Sequence, residues 1–233
     1  MVDTLNILAP SDCARVRAVV YELRHLWIPR NRQFPFFTLA AASYLDAAAP
    51  GSCDAYCRKA AASNALLREQ LGWLYDSVLE ALSHHLGAPA THCEPYALPG
   101  FHIFLAHEFF RTSVASVHCD LQYQLLEWGP PEAVDFERPL SFTLSISLPR
   151  SGAGLNIWDL TQGEIAPLSS WQRQALIDTR RKTHVPYETG GMILHSGHSV
   201  HQIAPMAKAE PGEERITLQG HAIQRSGVWQ VYW

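Results

Sequence analysis

Residues 141–148, SFTLSISL, alternate polar and apolar side chains without a break. Successive side chains of a β-strand point to opposite faces of the sheet, so the serines and the threonine share one face. The phenylalanine, the leucines and the isoleucine share the other face. This alternation predicts a β-strand with one apolar face.

Similar short runs, rich in β-branched and aromatic residues, fill residues 93–233 and are separated by turn signals such as PRSGAG and AEPGEE. About eight strands of this kind are typical of a sandwich or a jelly roll. Residues 1–92 instead carry helical periodicity, most clearly an apolar stripe over residues 60–86. The sequence therefore predicts one α+β domain over residues 1–233, in which N-terminal helices support a β core.

The composition argues against several classes of function. With 18 basic and 22 acidic residues, the chain has a formal net charge of −4 and lacks the basic face that nucleic-acid binding requires. Its apolar runs are too short to span a membrane, and Asp3 stands where a secretory signal would carry basic residues. Five cysteines at irregular spacing favour reduced thiols. We therefore expect a cytoplasmic protein without nucleic-acid or membrane partners.

The segment 28–38 within the N-terminal region is unusually aromatic. It holds two prolines, two arginines and three phenylalanines, without helical or strand periodicity. Such a composition is typical of a packed loop or of a lid over a pocket. We take a lid, or a segment that selects the substrate, as a hypothesis.

The stretch VHCDLQYQLLEW, residues 117–128, otherwise suits a strand but places His118 and Asp120 two residues apart. In a strand these side chains point to the same side, so they offer an imidazole and a carboxylate to one divalent metal ion. A simple hydrogen bond between the two is the alternative. A third ligand would come from GGMILHSGHSVHQIAPM, where His201 lies in a strand-like run and His198 is the fallback.

Arg215 and Thr217 form a second pair two residues apart, in ERITLQGH. A guanidinium and a hydroxyl on one strand face make a receptor for a carboxylate, because arginine forms bidentate, charge-assisted hydrogen bonds. The alternative is a surface ion pair of Arg215 with Glu213 or Glu214.

Taken in this order along a jelly-roll pattern, these motifs resemble the non-haem iron(II)/2-oxoglutarate-dependent oxygenase superfamily. The resemblance covers residues 96–223. Residues 139–160 look like the strand, turn and glycine-rich strand that follow the His-x-Asp motif in that family. Residues 190–205 look like the strand pair that carries its distal histidine. The resemblance implies a double-stranded β-helix, or cupin-like jelly roll, as the catalytic core over residues 93–233.

The same resemblance implies roles for the paired residues. His118, Asp120 and His201 would be the Fe(II) ligands, and the co-substrate 2-oxoglutarate and O2 would take the remaining positions. Arg215, helped by Thr217, would bind the far carboxylate of 2-oxoglutarate. Halogenating relatives have a small residue at the position of Asp120, so its carboxylate implies hydroxylation or a related oxidation such as desaturation or cyclisation.

The implied activity is a dioxygenase that hydroxylates an unactivated C–H bond of a small molecule and releases succinate and CO2. We expect an amino acid or a precursor of specialised biosynthesis as the substrate, with a peptide side chain as the next option. Gln122 and Trp158 are candidate substrate contacts, although packing explains each equally well. A cupin-like metal enzyme that does not use 2-oxoglutarate and a non-enzymatic jelly-roll binding module are the alternatives. The oligomeric state is left open, with a homodimer as one option.

Overall fold

The computed structural model describes residues 2–47, 53–113, 115–206, 208 and 210–233. Twelve strands form in this part of the chain: β1 Val2–Asn6, β2 Ile28–Pro29, β3 Phe36–Leu39, β4 Ala90–His92, β5 Gly100–Leu105, β6 Val134–Ser147, β7 Gly154–Thr161, β8 Lys182–Pro186, β9 Gly191–Ser196, β10 Ser199–Ile203, β11 Glu214–Arg225 and β12 Val228–Tyr232. Five α-helices accompany them: α1 Pro10–Glu22, α2 Ser43–Asp46, α3 Cys53–Leu86, α4 Gln162–Ile165 and α5 Ser170–Thr179.

The strands form two sheets of unequal size. The larger has the order β1-β9-β6-β11-β5-β3-β2, with β12 paired to β11 and β4 paired to β12. The smaller has the order β10-β7-β8. Sequence neighbours β9 and β10 lie in different sheets, as do β6 and β7, so the chain crosses repeatedly between the two sheets. This is the α+β jelly roll that the strand pattern predicts.

The alternating stretch 141–148 lies mostly in β6, which pairs with both β9 and β11. Phe142, Leu144 and Ile146 are buried in the main hydrophobic core, which also contains the apolar stripe of α3. The opposite face is buried as well, and there Ser141 and Thr143 line an internal cavity. The polar half of the alternation therefore faces the inside of the barrel.

The N-terminal region contributes strands as well as helices. β1 pairs with β9, while β3 pairs with β5 and extends the sheet to β2. These edge strands cover backbone groups of the larger sheet that would otherwise be unpaired. The expectation of purely helical support is thus incomplete, and the boundary between residues 92 and 93 stays a prediction. Segment 28–38 is a β2–β3 hairpin at the sheet edge, with irregular backbone only at its tip.

The structure also bears on two expectations drawn from composition. None of the described helices is both long and apolar enough to cross a membrane. The five cysteines are free thiols. Burial raises the pKa of Cys13 and of Cys93, which keeps both thiols protonated at neutral pH.

Candidate metal and anion site

The structure brings His118, Asp120 and His201 together. One potential ligand atom from each lies within 4.8 Å of the others. Nε2 of His201 is 3.4 Å from Oδ2 of Asp120, and Nε2 of His118 is 3.6 Å from Oδ1. Three side chains from two separated segments thus converge on a space that fits one metal ion.

Backbone hydrogen bonds hold these segments side by side. The amide of His118 donates to the carbonyl of His201 and the amide of His201 donates to the carbonyl of His118, both at 2.9 Å. The amide of Asp120 donates to the Gly197 carbonyl at 2.8 Å. The predicted strand over residues 117–128 is reduced to this single bridge, because the chain turns into a 3-10 helix at Gln122–Leu125.

Further hydrogen bonds orient both imidazoles. Nδ1 of His118 donates to the Ser116 carbonyl at 2.8 Å, and Nδ1 of His201 donates to the Ser199 carbonyl at 2.9 Å. These contacts assign the protons to Nδ1 and leave each Nε2 as a lone pair toward Asp120. Histidines that bind metals make this contact with their second nitrogen.

The charge of Asp120 is uncompensated. Its side chain is 9% exposed, and its only hydrogen-bond donor among the described side chains is Nε2 of Gln122 at 3.0 Å. Burial alone would raise the pKa of Asp120, but the surrounding histidines, led by His201 and His221, hold it well below its usual range when they are protonated, so the carboxylate is ionised at pH 7. Burial lowers the pKa of His201 to about 4, so this imidazole is neutral at pH 7. A buried carboxylate beside the neutral imidazole of His201 favours a bound cation.

The fallback ligand His198 lies elsewhere. Its Nε2 is 3.1 Å from the hydroxyl of Tyr123, and it does not line the cavity. His195, the histidine at the end of β9, is nearer, with its ring centroid 4.5 Å from that of His201. Of the three histidines in this segment, His201 joins the pair.

The metal ligands open into a cavity of about 660 Å³ between the two sheets, and Arg215 also lines it. The Arg215 side chain is 2% exposed, donates to the Ala204 carbonyl at 3.1 Å and lies 4.2 Å over the ring of Phe104. Burial lowers its pKa to about 10, so it remains cationic at pH 7. No carboxylate of the described residues pairs with it.

The surface ion pair considered for Arg215 does not form. Glu214 points to the other face, where it accepts hydrogen bonds from Arg17 and Tyr21. Glu213 instead accepts from the backbone amide of Arg150 at 3.0 Å. The guanidinium of Arg215 is therefore free to bind an anion inside the cavity.

Two predicted contacts, of Thr217 and of Trp158, stay predictions, because neither side chain lines the cavity. Thr217 is buried on β11 but does not line the cavity, and its hydroxyl accepts from Nε2 of Gln219 at 3.5 Å. It lies two residues from Arg215 on β11 and therefore shares its strand face. Trp158 packs in a separate small core with Leu160 and Val200, away from the cavity. Gln122 does line the cavity.

The sequence reasoning missed three cavity residues. The hydroxyl of Tyr187 is buried without a hydrogen-bond partner among the described atoms, and burial raises its pKa, so the hydroxyl keeps its proton at neutral pH. His195 and His221 also line the cavity, and burial lowers the pKa of both. The strand period could have found His221, which lies on the face of β11 that Arg215 occupies. Tyr187 lies in a connection, where no periodicity applies.

A scan against known protein families finds no match, and a search of curated proteins finds none either. Solved structures do match. An N-substituted L-amino acid dioxygenase from Burkholderia ambifaria matches with a TM-score of 0.63 and 15% identity, covering 100% of this chain and 86% of that one. It has also been solved in complex with alpha-KG.

A second match is the non-heme alpha ketoglutarate dependent epimerase SnoN from nogalamycin biosynthesis, with a TM-score of 0.54 and 12% identity over 97% of this chain and 81% of that one. SnoN has been solved with Fe3+, alpha ketoglutarate and nogalamycin RO. At these identities the likeness concerns the fold. The chain therefore shares the double-stranded β-helix fold of the iron(II)/2-oxoglutarate-dependent oxygenases.

Proposed function

We propose that the protein is an Fe(II)/2-oxoglutarate-dependent oxygenase that hydroxylates a C–H bond of a small molecule and releases succinate and CO2. The observation that carries the proposal is a pair of unpaired buried charges in one cavity. Among the described residues, no group that is cationic at pH 7 pairs with Asp120, and no anion pairs with Arg215. Fe(II) would compensate the first charge, and the dianion 2-oxoglutarate would compensate the second.

The donor set fits iron. Two imidazoles and one carboxylate, with further coordination positions open, are the ligands of non-haem Fe(II) oxygenases. When bound, iron supplies the oxygen chemistry of the reaction. His118 and His201 hold their lone pairs toward one point because their Nδ1 protons are engaged by backbone carbonyls. Nε2 of Gln122 donates to Oδ1 of Asp120 and orients the carboxylate.

The other end of the cavity fits the co-substrate. Arg215 can form charge-assisted hydrogen bonds with a carboxylate. We assign the buried hydroxyl of Tyr187 as a second donor to that carboxylate, in the role that the sequence suggested for Thr217. A ligand that spans from the metal ligands to Arg215 leaves the rest of the cavity to the substrate.

The ligand type at position 120 supports hydroxylation over halogenation, since its carboxylate takes a coordination position that a halide would need. A cytoplasmic location, a homodimeric assembly and the lack of nucleic-acid or membrane partners stay predictions.

An anaerobic titration tests the proposal. Addition of Fe(II) and then 2-oxoglutarate should produce a weak metal-to-ligand charge-transfer band in the visible. The Arg215→Met variant should need more 2-oxoglutarate to reach the same band, whereas Arg150→Met, a matched change of an exposed arginine, should not.

Two outcomes would contradict the proposal. A protein that binds Fe(II) but gives no band with 2-oxoglutarate would be a metal enzyme of cupin type. A protein that binds neither ligand would be a non-enzymatic module. If the band does form, a panel of amino acids and small metabolites is screened for compounds that stimulate succinate release above background. A compound that does so is the substrate.

A further inference from the structure

Part of the cavity wall is built from aromatic side chains of the N-terminal region and β5. Phe36 stacks on Phe104, with ring centroids 4.4 Å apart and planes 10° apart. Phe34 packs edge-on against Phe110 at 5.3 Å. Phe34, Phe36, Tyr44 and Phe104 all line the cavity. Such a wall favours a flat or ring-shaped apolar group.

The cavity offers this group no free charge. Among the described lining residues, only Arg30, Asp120 and Arg215 carry a permanent charge at neutral pH. Arg30 is already paired, because its Nη1 and Nη2 donate to the two carboxylate oxygens of Asp46 at 3.2 and 2.7 Å. Its Nε donates to the hydroxyl of Thr38 at 2.8 Å.

The proposed function uses the other two charges, for the metal ion and for the co-substrate. Among the lining residues that the structure describes, no free cation and no free anion therefore remain for the substrate. A free amino acid would bring both a carboxylate and an ammonium into this space, where each would lack a partner.

Besides the Tyr187 hydroxyl, which the proposed function assigns to the co-substrate, two buried polar atoms of the lining lack partners among the described atoms. Oε1 of Gln122 and Nδ1 of His102 make no hydrogen bond with the described atoms. Nε2 of Gln122 is held on Asp120, so the amide is fixed with its oxygen as a free acceptor. Nε2 of His102 is 2.5 Å from the hydroxyl of Tyr44, which fixes that ring as well. Buried polar groups in native proteins nearly always have a partner, so these atoms indicate a ligand.

The volume of the cavity is consistent with a ligand of this kind. Its volume of about 660 Å³ lies within the range of about 300–1,000 Å³ that is typical of pockets for drug-sized ligands. We propose that the substrate carries an uncharged aromatic or ring-shaped group that stacks on Phe36 and donates an N–H or O–H to Gln122. This inference rests on the proposed function, which assigns Asp120 and Arg215, and it replaces the free amino acid expected from the sequence.

A matched set of probes tests the inference without turnover. The protein is loaded with Zn(II) and 2-oxoglutarate, and binding of N-acetyl-tryptophanamide, N-acetyl-tryptophan and tryptophan is measured by calorimetry. The uncharged amide should bind at least about tenfold more tightly than the acid or the zwitterion, because only the charged probes must leave a charge unpaired.

Single substitutions test whether the uncharged amide binds against the aromatic wall of the cavity. Phe36→Leu keeps an apolar side chain but removes the stacked ring, and should weaken amide binding by about fivefold. Phe34→Leu is a second test, should Phe36→Leu fail to fold by circular dichroism. Trp171→Ala changes an aromatic side chain that is 79% exposed on α5 and should leave the affinity unchanged.

Several outcomes would overturn the inference. Equal or tighter binding of the acid would do so, and loss of that binding in Arg30→Gln would name Arg30 as the anchor of a charged substrate. Binding of none of the probes to loaded protein would also overturn it while leaving the proposed function intact. Failure of 2-oxoglutarate itself to bind would instead remove the proposed function, and this inference with it.

Discussion

The two ends of the cavity are built in different ways. At the metal end, backbone carbonyls orient each imidazole, and reciprocal amide bonds join His118 to His201. At the other end, Arg215 has one hydrogen bond, to the Ala204 carbonyl, and the face of Phe104. The metal end therefore fixes geometry before any ligand arrives, whereas the Arg215 end holds a charge whose compensation comes with the ligand. Substitutions at the two ends should fail in correspondingly different ways.

The largest effect is expected from Asp120→Asn. Loss of the anionic ligand should weaken Fe(II) binding by more than about a hundredfold, measured by anaerobic calorimetry. In the absence of metal at pH 8, where His201 is neutral, the same variant should be more stable than the parent toward urea, because it removes a buried charge that no cation of the described residues then pairs with.

Asp159→Asn is the matched control, since Asp159 is exposed on β7. It should change neither quantity. A metal-free Asp120→Asn that is less stable than the parent would show that the carboxylate is already compensated, and the contrast between the two ends would then be lost.

Arg215→Met should weaken 2-oxoglutarate binding by about 1.5–3 kcal/mol, the range for a hydrogen bond to a charged group. Fe(II) affinity in the absence of 2-oxoglutarate should stay within about twofold, since Arg215 contacts none of the metal ligands. Calorimetric titration of each ligand separately measures both values. A parallel loss of Fe(II) affinity would mean that the two ends are not independent.

Lowering the pH should reduce the free energy of unfolding through His102, which lines the cavity together with Arg215. Burial, helped by the charge of Arg215, lowers the pKa of His102 to about 3, whereas an unfolded histidine titrates near 6.5. Between these values the unfolded state binds the extra proton, so the stability that neutral His102 contributes is lost as pH falls from about 6.5 toward 3. The slope is at most about 1.4 kcal/mol per pH unit.

Urea unfolding at pH 7, 6 and 5 measures this slope. His102→Gln keeps a hydrogen-bonding group beside Tyr44 but cannot titrate, so its stability should fall less steeply with acid. His84→Gln, at an exposed position on α3, should follow the parent. Equal slopes for the parent and His102→Gln would show that His102 is not the titrating group.

The smallest predicted effects distinguish the contributions of Tyr187 and Thr217 to 2-oxoglutarate binding. Tyr187→Phe should weaken 2-oxoglutarate binding by about 0.5–1.5 kcal/mol, the net value of one hydrogen bond. Thr217→Val should leave it within about twofold, because Thr217 does not line the cavity. The reverse order would restore the role that the sequence suggested for Thr217.

The parts of the fold that were predictable have strong local periodicity. The alternation over residues 141–148 and the apolar stripe of α3 each specify which face is buried. The strands β1, β2 and β3 were missed, because short edge strands form through pairing with the larger sheet and carry little signal of their own.

The residues of the candidate site also divide into those that local periodicity predicts and those that only the tertiary fold places. The period of two predicted that His118 and Asp120 converge, and they do, although only a single bridge of the predicted strand forms. His201 was predicted from its place in a strand-like run, and it lies in β10. The period of two gives the strand face of Thr217 but not its position along the strand relative to the cavity, which Thr217 does not line. Tyr187 reaches the cavity from a connection, so its contribution depends on the tertiary fold.

The reciprocal bond pair between His118 and His201 also has a consequence for how the fold opens. A cation bound by both residues would cross-link two segments that are far apart in the sequence. Its binding free energy would add to the free energy of unfolding. Chelation should then loosen the smaller sheet first, and amide hydrogen exchange should accelerate in β10 and β7 before it does in β6 and β11.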